Sequence, residues 1–203
     1  MRVDTKLLWK YKSLLFLIAA NFIPIAGAVF LGWDIRYIIF LFWAETGIIG
    51  FYNILKIIYL AIRTLSVNTI GACLFFIPFF IVHFGGFMLG HGFFLIAILG
   101  TSIQNLIPLL PGLTYGLVML FASHGFSFIS NFAKKEWKLT NPSQLMMQPY
   151  KRIVLMHITI IFGSFIYFVF GKSTLLLIFL VVLKTVVDIT AHIKERKIFS
   201  SFS

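Results

Sequence analysis

Charged residues are scarce in this chain, and acidic residues most of all. Only 11% of its 203 residues are charged, against about 25% in a typical soluble protein, and six are Asp or Glu. This composition excludes an ordinary water-soluble domain. No polar stretch between the apolar runs is long enough for a second core, so we predict a single membrane domain covering residues 1–203.

Cysteine is nearly absent as well, and what remains excludes further classes of protein. The single Cys73 rules out an intrachain disulfide and a thiolate metal cluster. The net charge is +11, but the basic residues are scattered singly or in small groups between apolar runs. Binding to nucleic acid requires a basic face on a folded domain. We therefore expect the lipid bilayer, and no nucleic acid, as the partner of this chain.

Long apolar runs are what the sequence has in abundance. A bilayer core of about 30 Å is crossed by roughly 20 apolar residues in a helix, and this length divides the chain into six segments. We predict an all-α polytopic membrane protein, a bundle of six transmembrane helices. The predicted spans are residues 13–32, 37–60, 69–99, 113–133, 150–170 and 173–193. Pro78 and several glycines predict a kink, a tilt or a partly re-entrant course for the third span.

The basic residues predict the orientation of these spans. If the amino terminus is cytoplasmic, fourteen of the 17 Lys and Arg residues fall on the cytoplasmic side. Only Arg36 and Lys172 then lie outside, and Lys184 lies within the sixth span. Because cytoplasmic loops of membrane proteins are enriched in Lys and Arg, we predict cytoplasmic amino and carboxyl termini and a multi-pass protein of the cell membrane.

Ionisable side chains are concentrated within the predicted spans. Each costs at least about 2.5–3.5 kcal/mol at membrane depth, so each implies a partner or a function. Counting along the helices predicts an inner group, a central group and one histidine nearer the outer face. The inner group is His157, Asp188 and His192, with Asn53; the central group is Glu45, His83 and His124; and His91 is the outer histidine.

Helical spacing indicates which polar residues share a face. Asp188 and His192 are four residues apart, and Lys184 continues the same stripe by one turn. His124, Ser127 and Asn131 form a second polar line on the fourth span. We therefore predict a bundle with a polar interior.

These residues suggest a metal-dependent reaction. Imidazole and carboxylate groups from different helices are the usual ligands of zinc or iron inside a helical bundle. We predict a divalent metal, zinc or iron, bound by His157, Asp188 and His192, with Glu45 and His124 as catalytic acid or base. Such a site would hydrolyse a lipid or another amphiphile.

Other interpretations fit the same residues. The protein would be a transporter, a proton relay or a purely structural protein if the polar groups only pair internally, for example Asp188 with Lys184. Glu45 would then be a neutral acid, and His124 would bond a helix carbonyl. Histidines at matching depth, such as His83 and His124, would instead suggest haem binding and electron transfer.

Several short strings resemble a family of uncharacterised prokaryotic multipass membrane proteins, a domain of unknown function. The resemblance runs from about residue 21 to 196, with Thr46 where an amide residue is expected. The strings are Trp43-Ala-Glu-Thr, Gly50 to Lys56, His83-Phe-Gly-Gly-Phe, Gly90-His91-Gly92, Ser123-His124-Gly125-Phe-Ser127-Phe with Asn131, Pro149-Tyr150-Lys-Arg152-Ile with His157, and Asp188 to His192. The family implies no activity. In residue types alone, the set is also similar to intramembrane hydrolases of the alkaline-ceramidase and adipoQ-receptor group, which hold zinc through histidines and an aspartate.

Overall fold

The computed structural model describes residues 30, 35–98, 110–170, 178, 179, 181–183, 185 and 186. Regular structure in these residues is entirely helical. The chain forms two compact units, one of Arg36–Ile160 and one of Met1–Ile35 with Ile161–Ser203. All the contacts discussed below lie within Arg36–Ile160. That the whole chain is a single domain stays a prediction.

The helices agree with four of the six predicted spans. They are α1 (Ile35–Thr64), α2 (Val67–Ile98), α3 (Leu110–Ser127), the short α4 (Pro142–Met147) and α5 (Tyr150–Phe170). A π-helical turn, Phe128–Phe132, extends α3, and a 3-10 turn, Glu136–Leu139, precedes α4. The predicted first span and most of the sixth lie outside the described residues.

Three of the described helices are long and apolar enough to cross a membrane, over Ile38–Thr64, Val67–Ala97 and Leu113–Phe132. Their outer faces carry large apolar side chains such as Leu74, Phe93 and Phe126, each at least 70% exposed. Water would disfavour so large an apolar surface, whereas lipid solvates it. The prediction of apolar membrane-spanning helices is confirmed to this extent.

Pro78 lies inside α2 without ending it. The helix runs unbroken for 32 residues, so the predicted re-entrant course of this span is wrong. Proline removes one backbone donor, which costs the helix one hydrogen bond, and neighbouring helices make such a loss tolerable in membranes. At about 1.5 Å per residue, α2 is about 48 Å long and exceeds the bilayer core.

Close packing between α1 and α2 fixes the position of α1. The two helices run antiparallel, joined by Leu65, which has a left-handed φ of 50°, and Ser66. Gly50 lies against the ring of Phe84, where an added Cβ would collide with Cε1. Nearer the start of α1, the Trp43 indole donates a hydrogen bond to the Met88 carbonyl over 2.9 Å. These contacts settle which face of α1 turns away from α2.

The connection between α3 and α5 packs along α2 rather than lying apart from it. Leu145 of α4 is 1% exposed and joins Ile57 and Cys73 in one apolar cluster. The Asn141 side chain caps α4, because its Oδ1 accepts a hydrogen bond from the backbone N–H of Gln144 over 2.9 Å. As a result, α5 begins beside the middle of α2, where Tyr150 packs edge-on against Phe80.

Candidate functional site

A polar cavity of about 140 Å³ lies where the second half of α1, the end of α3 and the start of α5 meet. We call it the polar cavity. Its lining combines hydrogen-bonding and basic side chains with a few apolar ones. The lining residues are Ile49, Tyr52, Asn53, Lys56, His124, Ser127, Phe128, Gln148, Pro149 and Arg152.

Helical periodicity explains why α1 contributes so much of this lining. Ile49, Asn53 and Lys56 follow one another at spacings of four and three, so they share one face of the helix. Glu45, four residues before Ile49, continues the same face. The neighbouring face, with Gly50, is occupied by contact with α2. The polar face of α1 is therefore left for α3 and α5.

Tyr52 joins α1 to α3 at the cavity wall. Its hydroxyl donates to the Phe121 carbonyl over 2.9 Å, and the two rings are 5.1 Å apart. Gly125 permits this approach, because a Cβ there would lie 2.7 Å from the Tyr52 hydroxyl. The contact brings His124, next to Gly125 in the chain, to the side of α3 that faces α1.

Glu45 forms the electrostatic centre of the site. Arg152 Nη2 donates to Glu45 Oε1 over 3.3 Å, and Arg152 Nη1 is 3.1 Å from Oε2. His124 Nε2 is 3.8 Å from the same Oε1, in reach of an ion pair when the imidazole is protonated. The three side chains are 14–28% exposed. A carboxylate held between a guanidinium and an imidazole can support proton transfer.

Two buried donors at the cavity have spare hydrogen-bonding capacity. Asn53 is 3% exposed, and among the described residues its Nδ2 has no acceptor. Arg152 Nη1 is also buried, and its contact with Glu45 is an ion pair without the alignment of a hydrogen bond. Buried donors normally find acceptors. Their position in the lining therefore points to an acceptor that enters the cavity.

The comparison with protein families matches residues 9–201 to a family of unknown function, DUF6498. The chain belongs to this family. No curated protein and no solved structure matches it. The resemblance to a family without an assigned activity is thus confirmed, and the match covers all six predicted spans of this DUF6498 member.

A second set of polar contacts in this DUF6498 member joins α2 to α5. His91 Nε2 and His157 Nδ1 are 3.0 Å apart, with one ring nitrogen donating to the other. His91 is 4% exposed, and its Nδ1 has no partner among the described residues. Sequence analysis places these histidines at different depths, because it starts α5 at the membrane surface and not beside the middle of α2. His91 is accordingly a packed interhelical residue.

His83 also contacts α5, and the prediction that it belongs to a central group with Glu45 stays a prediction. Its Nδ1 lies 2.9 Å from the Tyr150 hydroxyl, and its ring stacks on Phe79 at 5.1 Å. His124, its expected partner at matching depth for haem, lies beside Glu45. The two histidines thus have different neighbours on different helices.

The predicted metal ligands are only partly within the described residues. His157 is described, whereas Asp188, His192 and Lys184 are not. Within the described part of the chain, no group of three His, Cys, Asp or Glu side chains is placed to hold a metal ion. The three-ligand site therefore stays a prediction.

Arg152 is the site residue that sequence analysis missed. In predicting the orientation of the spans, Arg152 counts only as one of the basic residues on the cytoplasmic side. Its position in the first turn of the predicted span 150–170 is the signal that could have identified it, because a charge inside a span requires a counter-charge. The Asn131 amide donates to the Ser127 hydroxyl over 3.4 Å, so these two residues of the predicted polar line are in contact.

Proposed function

We propose that this chain is a multi-pass protein of the cell membrane with six spans and both termini in the cytoplasm. The three described helices of sufficient length support this proposal. The packing of the α1–α2 turn near α4 supports it too, because it gathers basic residues such as Arg63 and Lys138 at one end.

Reporter fusions test this topology. A reporter active only in the cytoplasm, fused after residue 66, residue 140 or residue 203, is expected to be active at all three positions. Fusions after residue 104 and residue 172 are expected to be inactive. Activity at residue 104, or its absence at residue 203, would overturn the six-span arrangement.

Within this membrane domain we propose a hydrolase that acts on a lipid or amphiphile at the polar cavity. The observation that carries the proposal is the position of Glu45, which lies between His124 and Arg152 at the cavity edge. Arg152 pairs with the Glu45 carboxylate, and that carboxylate lies 3.8 Å from His124 Nε2, where it can stabilise an imidazolium formed during a reaction. His124 is thereby suited to accept and return a proton.

The proposed reaction is the hydrolysis of an ester. His124 takes a proton from water as the water oxygen attacks the carbonyl carbon. Cleavage of the carbon–oxygen bond then releases an alkoxide, to which His124 returns the proton, giving an acid and an alcohol. Glu45 stabilises the transient imidazolium, and Arg152 positions Glu45.

Purified protein in neutral-detergent micelles with phosphatidylglycerol tests the reaction, with released fatty acid measured by mass spectrometry. Glu45→Gln and His124→Gln are expected to lower the rate at least about 100-fold, as loss of an acid–base group does. Glu136→Gln and His83→Gln are the matched controls, since both lie outside the polar cavity. Wild-type release no faster than that of protein-free micelles would overturn the proposal for this substrate class.

A proton relay is the second candidate, favoured by the His91–His157 contact across 3.0 Å. Two imidazoles in hydrogen-bond contact can pass a proton by exchanging tautomers. Proteoliposomes with an internal pH dye test this idea. A relay requires proton flux that His157→Phe abolishes, and flux equal to that of empty liposomes would exclude it.

Metal binding by His157, Asp188 and His192 needs its own measurement. Elemental analysis of purified protein is expected to give zinc or iron at a stoichiometric level, lost in His192→Ala. If wild-type protein contains no metal and still unfolds cooperatively, this metal site is excluded. The acid–base proposal for Glu45 and His124 would be unaffected.

A further inference from the structure

The polar cavity has the properties of a binding site for an anion. It contains two basic side chains, Lys56 and Arg152, beside the single carboxylate of Glu45. It also contains the side-chain amide of Asn53. This residue is only 3% exposed, and its Nδ2 has no acceptor among the described residues. A donor-rich, net positive cavity is filled best by a group with several acceptor oxygens and negative charge.

The start of α5 adds a second, independent contribution. Gln148 and Pro149, which precede the helix, and Arg152 in its first turn all line the cavity. The Arg152 and Ile153 amides already donate to the Pro149 carbonyl, over 3.0 and 3.4 Å, so this helix start contributes the positive potential of the helix dipole rather than those amides. The amino terminus of this 21-residue helix therefore reinforces the attraction of an anion toward Asn53 and Arg152.

The size of the cavity restricts the anion to a headgroup. At about 30 Å³ per water molecule, 140 Å³ corresponds to four or five waters. This is room for a phosphate or carboxylate group but not for an acyl chain.

An apolar groove adjoins the cavity and can take such a chain. It is lined by Ile48, Leu117, Val118, Phe121 and Ala122 and has a volume of about 470 Å³. Ile48 is next to the cavity residue Ile49, and the ring of the groove residue Phe121 packs against that of the cavity residue Tyr52, with the centroids 5.1 Å apart and the planes tilted by 50°. The polar and apolar spaces thus meet along the α1–α3 contact.

We propose that the polar cavity and this groove together bind one anionic amphiphile, with its phosphate headgroup near Asn53 and Arg152 and its acyl chain along Leu117 and Phe121. The inference deepens the proposed function and rests on it in treating the polar cavity as the substrate site. Charge complementarity selects a phosphate monoester or diester head over a zwitterionic one.

Titration calorimetry in neutral maltoside micelles tests the proposal with dodecyl phosphate as the probe. Dodecylphosphocholine and inorganic phosphate are the comparison probes. Dodecyl phosphate is expected to bind saturably at one site, at least about tenfold tighter than either. Equal affinity for inorganic phosphate would overturn the role of the groove, and equal affinity for dodecylphosphocholine would overturn the anionic specificity.

Asn53→Leu separates a ligand-binding role from a structural one. The substitution removes a buried donor that lacks an acceptor, so the free protein is expected to be as stable as wild type or more stable. Its affinity for dodecyl phosphate is expected to fall at least about tenfold. Unchanged affinity in this variant would overturn the site, and a merely structural asparagine would instead lower stability.

Three further variants complete the test. Leu117→Trp fills the groove and is expected to weaken dodecyl phosphate but not inorganic phosphate. Lys138→Gln removes a basic residue outside the cavity and is expected to bind like wild type; a tenfold loss there would indicate surface adsorption and overturn the site. Glu45→Gln is expected to lose hydrolysis while still binding dodecyl phosphate, so the binding site and the proposed reaction can fail separately.

Discussion

The polar cavity and the histidine contacts between α2 and α5 both contain ionisable residues between helices, but the surroundings of those residues differ. At the cavity, Glu45 lies between Arg152 and His124 from two other helices, and two buried donors, on Asn53 and Arg152, still have hydrogen-bonding capacity. Along α2 and α5, His83 and His91 each meet one partner, and His91 Nδ1 is the nitrogen that has none among the described residues. An ion pair with several donors around one cavity favours a ligand, whereas one-to-one pairs between helices favour packing. The comparison separates a candidate site from interhelical bonding.

The largest expected effect concerns the ion pair. Arg152→Met leaves Glu45 without its guanidinium, and loss of one partner from a buried pair costs about 3–5 kcal/mol. Because both side chains are partly exposed, we expect about 3 kcal/mol, measured by unfolding in mixed micelles with increasing dodecyl sulfate. The double variant Glu45→Leu with Arg152→Met is expected to recover most of the loss. No recovery would mean that Arg152 acts through other contacts.

The next effect concerns the packing that places Glu45. In Gly50→Ala the new Cβ meets the Phe84 ring, which is buried and stacked on Phe80 at 4.6 Å. Overpacking lowers the free energy of unfolding by about 1–3 kcal/mol. Because the substitution displaces α1, the variant is also expected to bind dodecyl phosphate more weakly. Gly85→Ala is the matched control, with nothing within 4 Å of the added Cβ among the described contacts. Equal loss in both variants would show a general helix effect.

A smaller effect is expected at the histidines. His157→Phe keeps a ring between α2 and α5 but removes the partner of His91. Interhelical hydrogen bonds in membranes contribute about 0.6 kcal/mol on average and about 1.7 kcal/mol at most, so we expect a loss in that range. Binding of dodecyl phosphate is expected to be unchanged. If His157→Phe abolished it, the separation between the two polar regions would be wrong.

The smallest effect is a gain. Leu65 adopts a φ of 50° in the α1–α2 turn, a conformation that costs an ordinary residue about 1–2 kcal/mol. Leu65→Gly relieves this cost but adds freedom to the unfolded chain, so we expect a net stabilisation of about 0.5 kcal/mol. Ligand binding is expected to be unaffected, because the turn contacts neither polar region. A loss of stability would show that Leu65 packs usefully despite being 76% exposed.

The sequence predicts the helices well because length and hydropathy are local properties. The predicted span 150–170 coincides with α5, and the predicted span 69–99 differs from α2 by two residues at its start and one at its end. Glu45 and His124 were singled out because burial of ionisable groups is costly anywhere in a bilayer, and the structure places them 3.8 Å apart; their catalytic role stays a prediction.

What the sequence does not show is the relative depth of the helices. Because α4 packs along α2, α5 begins beside the middle of α2, and the Tyr150 hydroxyl lies 2.9 Å from His83 Nδ1. This path depends on tertiary packing of Leu145 against Ile57 and Cys73, which no periodicity reveals. The same displacement brings Arg152 to Glu45 and His157 to His91. Pairs between helices are therefore where prediction from sequence fails.

The burial of Cys73 has a practical consequence. The thiol is 3% exposed, lies in the apolar cluster with Ile57 and Leu145, and is 3.7 Å from the Ile57 carbonyl. Maleimides need an accessible thiolate, so the native cysteine should stay unlabelled in folded protein. Single cysteines introduced elsewhere can then carry fluorophores or spin labels without a cysteine-free background, and distances across the molecule become measurable in a bilayer.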